Sequence, residues 1–579
     1  MALAGQHKNY PSLGFDWAGL GRLYLFFFFF SGLTHLLLQL TGATIFVGLR
    51  QAILMSLLWL VPVLLFPHKT RAIAAVLGFI LWFFSLFSLG YFFVYRQEFS
   101  QSVIFIMFES NQAESSEYLA QYFQWWMIPA LLAYTAVAIF LWKRIRPVHL
   151  SHKRSWAISG LILLSLFGYP LLKELVIKDA SANAAFEKLG NRMEPAVPWQ
   201  MIIGYMHYRE QLANMEQLLE SNSRIPPLPN LQDATAGKPA TLVLVIGEST
   251  DKHHLSLYGY ARKTTPKLDA MRDQLAVFNH VVSPRPFTIE ALQQVLTFAD
   301  QENPDLYLTR PSLMNMMKQA GYKSYWITNQ QTMTKRNTML TNFSRQTDQQ
   351  IYLNNSRAQN SRQYDSSVLQ PFADILKDSA PRKFIVIHLL GTHMKYEYRY
   401  PPEYDHFKDR TNTPAWLKDE QLEVYNDYDN AVLFGDHVLS SLIENLSASR
   451  QNGFLMFLSD HGEDVFETPP HDFVGRNEAA PTLPMYSIPL LLWTSEQWRA
   501  EHPRNFAQAE ERPYSMSHFI HTWADLAGLR FDGFDASKSL VNDAFKERPL
   551  LVGNPYAKKK LLDMRTLMHK SQDNLAHSK

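Results

Sequence analysis

The chain has 579 residues, of which 47% are hydrophobic and 19% charged, with 55 Lys and Arg against 53 Asp and Glu. A formal net charge of +2 gives no global basic field, so nucleic acid is not an expected partner. The complete absence of cysteine excludes a disulfide framework, a cysteine-type zinc finger and a thiol nucleophile, although it leaves the compartment open, because an oxidising one permits disulfides without requiring them.

Residues from about Leu20 to Leu175 are dominated by apolar runs, and those from about Pro226 onward read as an ordinary soluble domain. A bilayer crossing takes about 20 apolar residues. Five stretches qualify, near Leu20–Leu40, Ile45–Phe66, Ala72–Val94, Trp125–Trp142 and Trp156–Leu175. The first contains the run Phe26 to Phe30, which reads as lipid-facing bulk. No small-residue cleavage site closes it before the next span, so a removable signal peptide is not expected.

Basic residues in short loops set orientation. His68, Lys69 and Arg71, and then Lys143, Arg144, Arg146, Lys153 and Arg154, mark two cytoplasmic loops. The loop between spans three and four has Glu98, Glu109, Glu114 and Glu117 against Arg96 and should lie outside; Arg50 is a mild exception. The amino terminus then falls inside, and everything after the fifth span falls outside. Within the outer loop Gln97–Gln121, Val103–Phe108 precedes the polar Glu109–Glu114. That pattern suits either a plain connector or an interfacial helix holding a lipid head group. Val176 to Asp233 forms a bridge, helical over Tyr205–Ser221 and ending in the proline-rich Ile225–Pro229. The expected organisation is a transmembrane domain over 1–175, bridging helices and linker over 176–238, and a catalytic domain over 239–579.

In the soluble part, short apolar runs alternate with helical patterns. Thr241–Ile246, Tyr322–Ile327, Lys383–His388, Phe454–Leu458 and Ser487–Trp493 read as strands, with a further short apolar run at Ala276–Phe278. Strands alternating with helices imply a mostly parallel sheet covered by helices, with chemistry beyond the carboxyl ends of the strands. Three of those ends carry Glu248, then His388 and His393, then Asp460 and His461. Carboxylates and imidazoles at one rim suit zinc. Adjacent Asp460 and His461 share an ion only where the chain turns sharply, which Gly462 would allow. Taken singly, Glu248 reads as a helix cap and Asp460-His461-Gly462 as a turn; together they read as a metal site. Thr288 opens a helical stretch running to about Ala299. It reads either as an N-cap or, beside a metal, as a nucleophile facing the free N–H groups of a helix end.

These residues are where the chain resembles a known family. Gly247 to Tyr260, GESTDKHHLSLYGY, is similar to the first motif of the membrane phosphoethanolamine transferases of Gram-negative bacteria, within the alkaline phosphatase/sulfatase superfamily. Thr288 falls where that family places its nucleophile, and Ser459-Asp460-His461-Gly462-Glu463 resembles its last metal motif. The resemblance implies a bundle of five transmembrane helices followed by an α/β/α sandwich of the alkaline phosphatase/sulfatase type. It implies zinc held by Glu248, Thr288, Asp460 and His461, with His393 and His471 binding the phosphoethanolamine group or a second zinc. Asn329 is a further polar contact to substrate; Lys335 is off register for the family lysine. A surface histidine is the plain alternative for His471.

Relatives that modify lipid A carry cysteines around the nucleophile. Here Pro284 and Gln294 stand there, and Pro284 with Pro286 would stiffen the loop instead. The pattern is most similar to the enterobacterial branch that decorates a heptose of the lipopolysaccharide core. The implied activity is transfer of phosphoethanolamine from phosphatidylethanolamine to that core, by a zinc-dependent ping-pong route through a phosphorylated Thr288, with His393 or His471 shuttling a proton. The enzyme would be multi-pass in the bacterial inner membrane with its catalytic domain in the periplasm. Alternatives are transfer to lipid A or a periplasmic glucan, phosphoglycerol transfer of the lipoteichoic acid synthase type, and a catalytically dead scaffold. Sulfatase chemistry is rejected, because Ser283-Pro284-Arg285 has the residues of Cys/Ser-x-Pro-x-Arg in the wrong spacing.

Overall fold

The structure, a computed structural model, describes residues 16–41, 47–95, 99, 107, 123–148, 150–178, 181–221, 225–330, 338–354, 364–478 and 480–566. They form two compact units, one running to Glu210 and the other from Gln211. The expected bridge over 176–238 is therefore divided between them. Apart from Phe99 and Met107, the loop Gln97–Gln121 lies outside the described residues, as does Lys335.

The first unit holds α1 (Trp17–Leu40), α2 (Gly48–Leu65), α3 (Pro67–Val94), the shorter α4 (Met127–Lys143) and α5 (His152–Val176). Among the described residues, all of these but α4 are long and apolar enough to cross a membrane; α4 has 17 residues. Asp16 starts α1 by accepting the Gly19 N–H at 2.8 Å, which satisfies one of the free donors of a helix end.

The phenylalanine run does not face lipid as a block. Phe26, Phe27 and Phe30 are at most 2% exposed. Successive helical residues are about 100° apart, so five in a row must sweep most of the helix circumference. Gly78 makes room for this packing, since a Cβ there would stand 2.4 Å from the Phe26 ring. Phe30 meets the edge of Tyr134, whose hydroxyl bonds Ser85 at 2.6 Å.

After α6 (Ala182–Met193) and α7 (Trp199–Ser221), the second unit is built on seven strands: β1 (Ala240–Gly247), β2 (Leu275–Phe278), β3 (Lys323–Thr328), β4 (Gln349–Tyr352), β5 (Arg382–His388), β6 (Gly453–Ser459) and β7 (Leu490–Thr494). Their order across the sheet is β2-β7-β6-β1-β5-β3-β4. The five from β6 to β4 are parallel, and β7 runs antiparallel to both of its neighbours.

Burial on both faces explains why β1 is apolar throughout. Leu242, Leu244 and Ile246 point into one core with α8 (Thr288–Val295), α9 (Leu313–Gln319) and, further along the chain, residues 519–526 around Trp523. Val243 and Val245 point into the other with α10 (Leu369–Leu376) and α11 (Leu422–Ala448). The unit is thus an α/β/α sandwich. In the central register Ile246 pairs with His388 and Gly247 with Ser459. That register brings the ends of β1, β5 and β6 to one level and places Glu248 beside Asp460.

Candidate metal centre

Two glycines let the loops at this rim close on one another. Gly391 has φ +53, and a Cβ there would stand 2.7 Å from the Glu248 carbonyl oxygen, so the loop after β5 lies directly on the loop after β1. Gly462 serves differently from its sequence expectation. It is not among the residues with positive φ; its role is space, since a Cβ would come within 2.0 Å of the Pro484 carbonyl. Gly462→Ala must push that backbone apart, so a loss of about 2 kcal/mol or more is expected in denaturant unfolding. An unchanged midpoint would show that the loop gives way freely.

Glu248, Asp460 and His461 form one buried group whose candidate ligand atoms all lie within 4.8 Å of one another. None of the three is more than 1% exposed. His461 Nε2 stands 3.2 Å from Glu248 Oε1 and 3.3 Å from Asp460 Oδ2. Thr288 Oγ1 donates to Glu248 Oε2 at 2.9 Å and lies 3.5 Å from His461 Nε2. A tetrahedral ion with ligands about 2.0 Å away spaces its donors by about 3.3 Å, which is the spacing of these atoms. Two further observations fit a cation. Asp460 Oδ2 is buried without a hydrogen-bond partner, although unpaired buried carboxylate oxygens are costly. His461 Nδ1 donates to the Gly462 carbonyl at 2.9 Å, leaving Nε2 as the lone-pair nitrogen facing the cluster.

Thr288 is the first residue of α8, the preceding Phe287 holds the cap position, and no side chain caps the helix. Its hydroxyl turns to Glu248 and not to the helix backbone, so the N-cap alternative falls away. α8 ends at Val295, short of the expected Ala299. Glu248 is not a cap either; it accepts from Ser249 at 2.8 Å, from Thr288, and from Gln330 Nε2 at 3.1 Å.

Burial, reinforced by the neighbouring Glu248 carboxylate, pushes Asp460 well above the usual carboxylate range. Burial and the nearby Arg476 hold His461 below the ordinary histidine value. The cluster therefore presents a neutral imidazole and a firmly held carboxyl proton that an incoming cation must displace.

His393 and His388 lie at the same end of the sheet, and burial pushes each down to about 4. His388 is fully buried with neither ring nitrogen hydrogen-bonded; its position at a strand end was visible in sequence, but its isolation was not. His471 stands in a separate loop. Its ring stacks on Trp416 at 4.3 Å, and Nδ1 donates to the Phe466 carbonyl at 2.7 Å, which leaves Nε2 as its basic nitrogen. Asn329 is bound to Asp365 at 2.8 Å, while the next residue, Gln330, reaches Glu248.

Sequence reasoning missed Arg476 altogether. Its Nη1 donates to His461 Nε2 at 2.5 Å and lies 3.6 Å from Glu248 Oε1. It also missed what fastens the nucleophile loop. Arg285 bonds Glu478 through two nitrogens, at 2.5 and 3.1 Å, and both side chains are under 9% exposed. The Pro284 carbonyl accepts from Gln301 and Gly553. A second group, buried Asp251 and His254 with the partly exposed Glu467, ties the first motif to the His471 loop through a His254–Glu467 bond.

The family model described as Sulfatase matches residues 240–529. The chain is 53% identical over 562 residues to phosphoethanolamine transferase EptC of Escherichia coli strain K12, covering 96% of this chain and 97% of that one. It is 54% identical, with the same coverage, to phosphoethanolamine transferase CptA of Salmonella typhimurium. Among solved structures, the zinc complex of the C-terminal periplasmic domain of EptC from Escherichia coli superposes with a TM-score of 0.58 at 59% identity, covering 59% of this chain and 97% of that domain. The integral membrane lipooligosaccharide phosphoethanolamine transferase A of Neisseria meningitidis shares the fold, with a TM-score of 0.62 at 19% identity over 93% of this chain and all of that one.

Proposed function

Because the chain belongs to the sulfatase family, and within it to the phosphoethanolamine transferases, we propose that it moves phosphoethanolamine from phosphatidylethanolamine to a heptose of the lipopolysaccharide core. The observation that carries the reading is the convergence of Glu248, Thr288, Asp460 and His461 at one strand-end rim. We place it in the bacterial inner membrane with five crossings, α4 included, and with the catalytic domain in the periplasm. Trp125 and Trp126 at the start of α4 are exposed, as suits residues at a membrane interface. Its domains are then 1–175, 176–238 and 239–579.

Glu248, Asp460, His461 and Thr288 would hold zinc. When bound, zinc lowers the pKa of the Thr288 hydroxyl and offsets charge on the transferring group. Thr288 Oγ1 bonds to phosphorus while the bond from phosphorus to the glycerol oxygen breaks, and the threonine proton ends on diacylglycerol. In the second half, the acceptor hydroxyl oxygen bonds to phosphorus, the Oγ1–phosphorus bond breaks, and the acceptor's proton returns Thr288 to its hydroxyl form. His393, held neutral by burial, or His471 would carry that proton. Asn329, bonded to Asp365, would be a further polar contact to the substrate. His393 and His471 would bind the phosphoethanolamine group or a second zinc.

Mass spectrometry of lipopolysaccharide from strains with and without the gene, with fragmentation, tests the acceptor. Phosphoethanolamine on lipid A alone would refute the core assignment. Labelling from phosphatidylglycerol and not from phosphatidylethanolamine would refute the donor.

Zinc uptake should depend on pH. Asp460 must shed the proton that burial and Glu248 favour, so zinc affinity rises with pH, by about tenfold per unit below the raised Asp460 pKa, and flattens above it. His461, whose pKa is lowered, adds nothing to that slope near neutrality. A chelator competition titration from about pH 4 to 9 reads it; a profile flat throughout would show that the cluster takes its ion without releasing a proton.

A further inference from the structure

The hairpin that leaves His461 runs out through residues 464–465, carries His471 at its tip and returns through 474–475. The returning strand delivers Arg476 back onto the donor cluster. Its side chain is only 14% exposed, with Nη1 on His461 Nε2 at 2.5 Å, 3.6 Å from Glu248 Oε1, and Nε 4.0 Å from Glu463 Oε2. Glu463 is itself buried, with Oε2 lacking a hydrogen-bond partner and Oε1 accepting from Tyr396 at 3.0 Å.

A guanidinium does not lose its charge in a protein, so it needs an acceptor at all times. His461 Nε2 cannot serve both Arg476 and a cation. Once Nε2 is taken, Arg476 loses its short hydrogen bond on the cluster and keeps only the longer ion pairs to Glu248 at 3.6 Å and Glu463 at 4.0 Å, so donor capacity is free for another anion. Charge balance points the same way. Ionised Glu248 and Asp460 cancel the charge of a divalent ion, so the loaded cluster alone holds little attraction for a phosphodiester anion. Arg476 supplies the missing positive charge at the face where Thr288 stands, in the planar fork that suits paired phosphoryl oxygens.

We propose that Arg476 is a further catalytic residue of the transfer, one that binds the nonbridging oxygens of the phosphoryl group as it passes to and from Thr288. This rests on the phosphoethanolamine reading above. The ion pair with Glu463 holds the guanidinium beside the cluster.

The full chain in detergent micelles, loaded with zinc, tests this with Arg476→Ala and Arg476→Lys. Zinc content by elemental mass spectrometry should stay at the wild-type level in both. The affinity of Arg476→Ala for free phosphoethanolamine and for inorganic phosphate should fall about 100-fold, as should kcat/KM for transfer, which is the scale of losing one transition-state donor. Arg476→Lys, which keeps the charge and loses the fork, should recover part of the phosphate affinity and less of kcat. Wild-type phosphate affinity in Arg476→Ala, or loss of its zinc, would overturn the proposal. The two readings fail separately: if the wild type takes no label from phosphatidylethanolamine, the parent reading is wrong, while the inorganic phosphate titration still decides the role of Arg476.

Discussion

Thr288→Ala should abolish transfer, with a fall in rate of about 10,000-fold or more, while the protein stays folded and keeps zinc through Glu248, Asp460 and His461, because the ligand lost is an uncharged hydroxyl that water replaces. Removing a covalent nucleophile has effects on that scale. The hydroxyl lies 2.9 Å from Glu248 and 3.5 Å from His461, in contact with the two groups that would activate it. It contributes no helix cap, so the cost to stability should be under about 1 kcal/mol. The variant should take no label from phosphatidylethanolamine carrying radioactive ethanolamine, where the wild type holds label on Thr288. Thr288→Ser keeps the oxygen and should retain measurable transfer. Label retained on Thr288→Ala protein would remove the phosphothreonine intermediate from the scheme.

The second large effect concerns Asp460→Asn. Asp460 Oδ1 accepts the N–H groups of Ser249 at 3.1 Å and of His461 at 2.7 Å, bonds that an asparagine oxygen keeps. The change falls on the buried Oδ2, which becomes an uncharged NH2 group. Four-ligand zinc sites bind with about 10–16 kcal/mol, so losing one charged ligand should cost on the order of 4 kcal/mol, about 1,000-fold in zinc affinity, with transfer lost alongside. Stability should move the other way in the chelated protein. A carboxyl whose folded pKa is raised favours folding below its unfolded value of about 3.9, and that contribution is lost as pH rises through the folded pKa. At neutral pH without metal, Asp460 is therefore a burden that asparagine removes. The chelated variant should melt no lower than chelated wild type, and only the wild type should gain on adding zinc. A chelated variant that melts well below chelated wild type would show that Asp460 is structural first.

The ends of β1, β5 and β6 were legible because each strand is an unbroken apolar run stopped by polar residues, and a parallel sheet buried on both faces demands that pattern. Three neighbouring strands in register then put Glu248, Asp460 and His388 at one level without further information. The strand β4 was not legible: Gln349-Gln350-Ile351-Tyr352 lies at the sheet edge and is partly exposed, so it carries no apolar signature. The phenylalanine run misled because composition says that a helix lies in an apolar setting and not which side meets its neighbours. Arg476 and Gln330 left no trace because their roles depend on where a hairpin returns and where a loop turns. Gln330 meets the Glu248 carboxylate only because of how the loop after β3 turns.

The Arg285–Glu478 clamp has a consequence for how the protein matures. Relatives fastened by sulfur must wait for an oxidant before the loop around the nucleophile is locked. Here the fastening is electrostatic, buried and available as soon as the chain collapses, and no thiol is present to be mispaired. Closing this loop therefore calls for no oxidant, and reductant has no bond here to break.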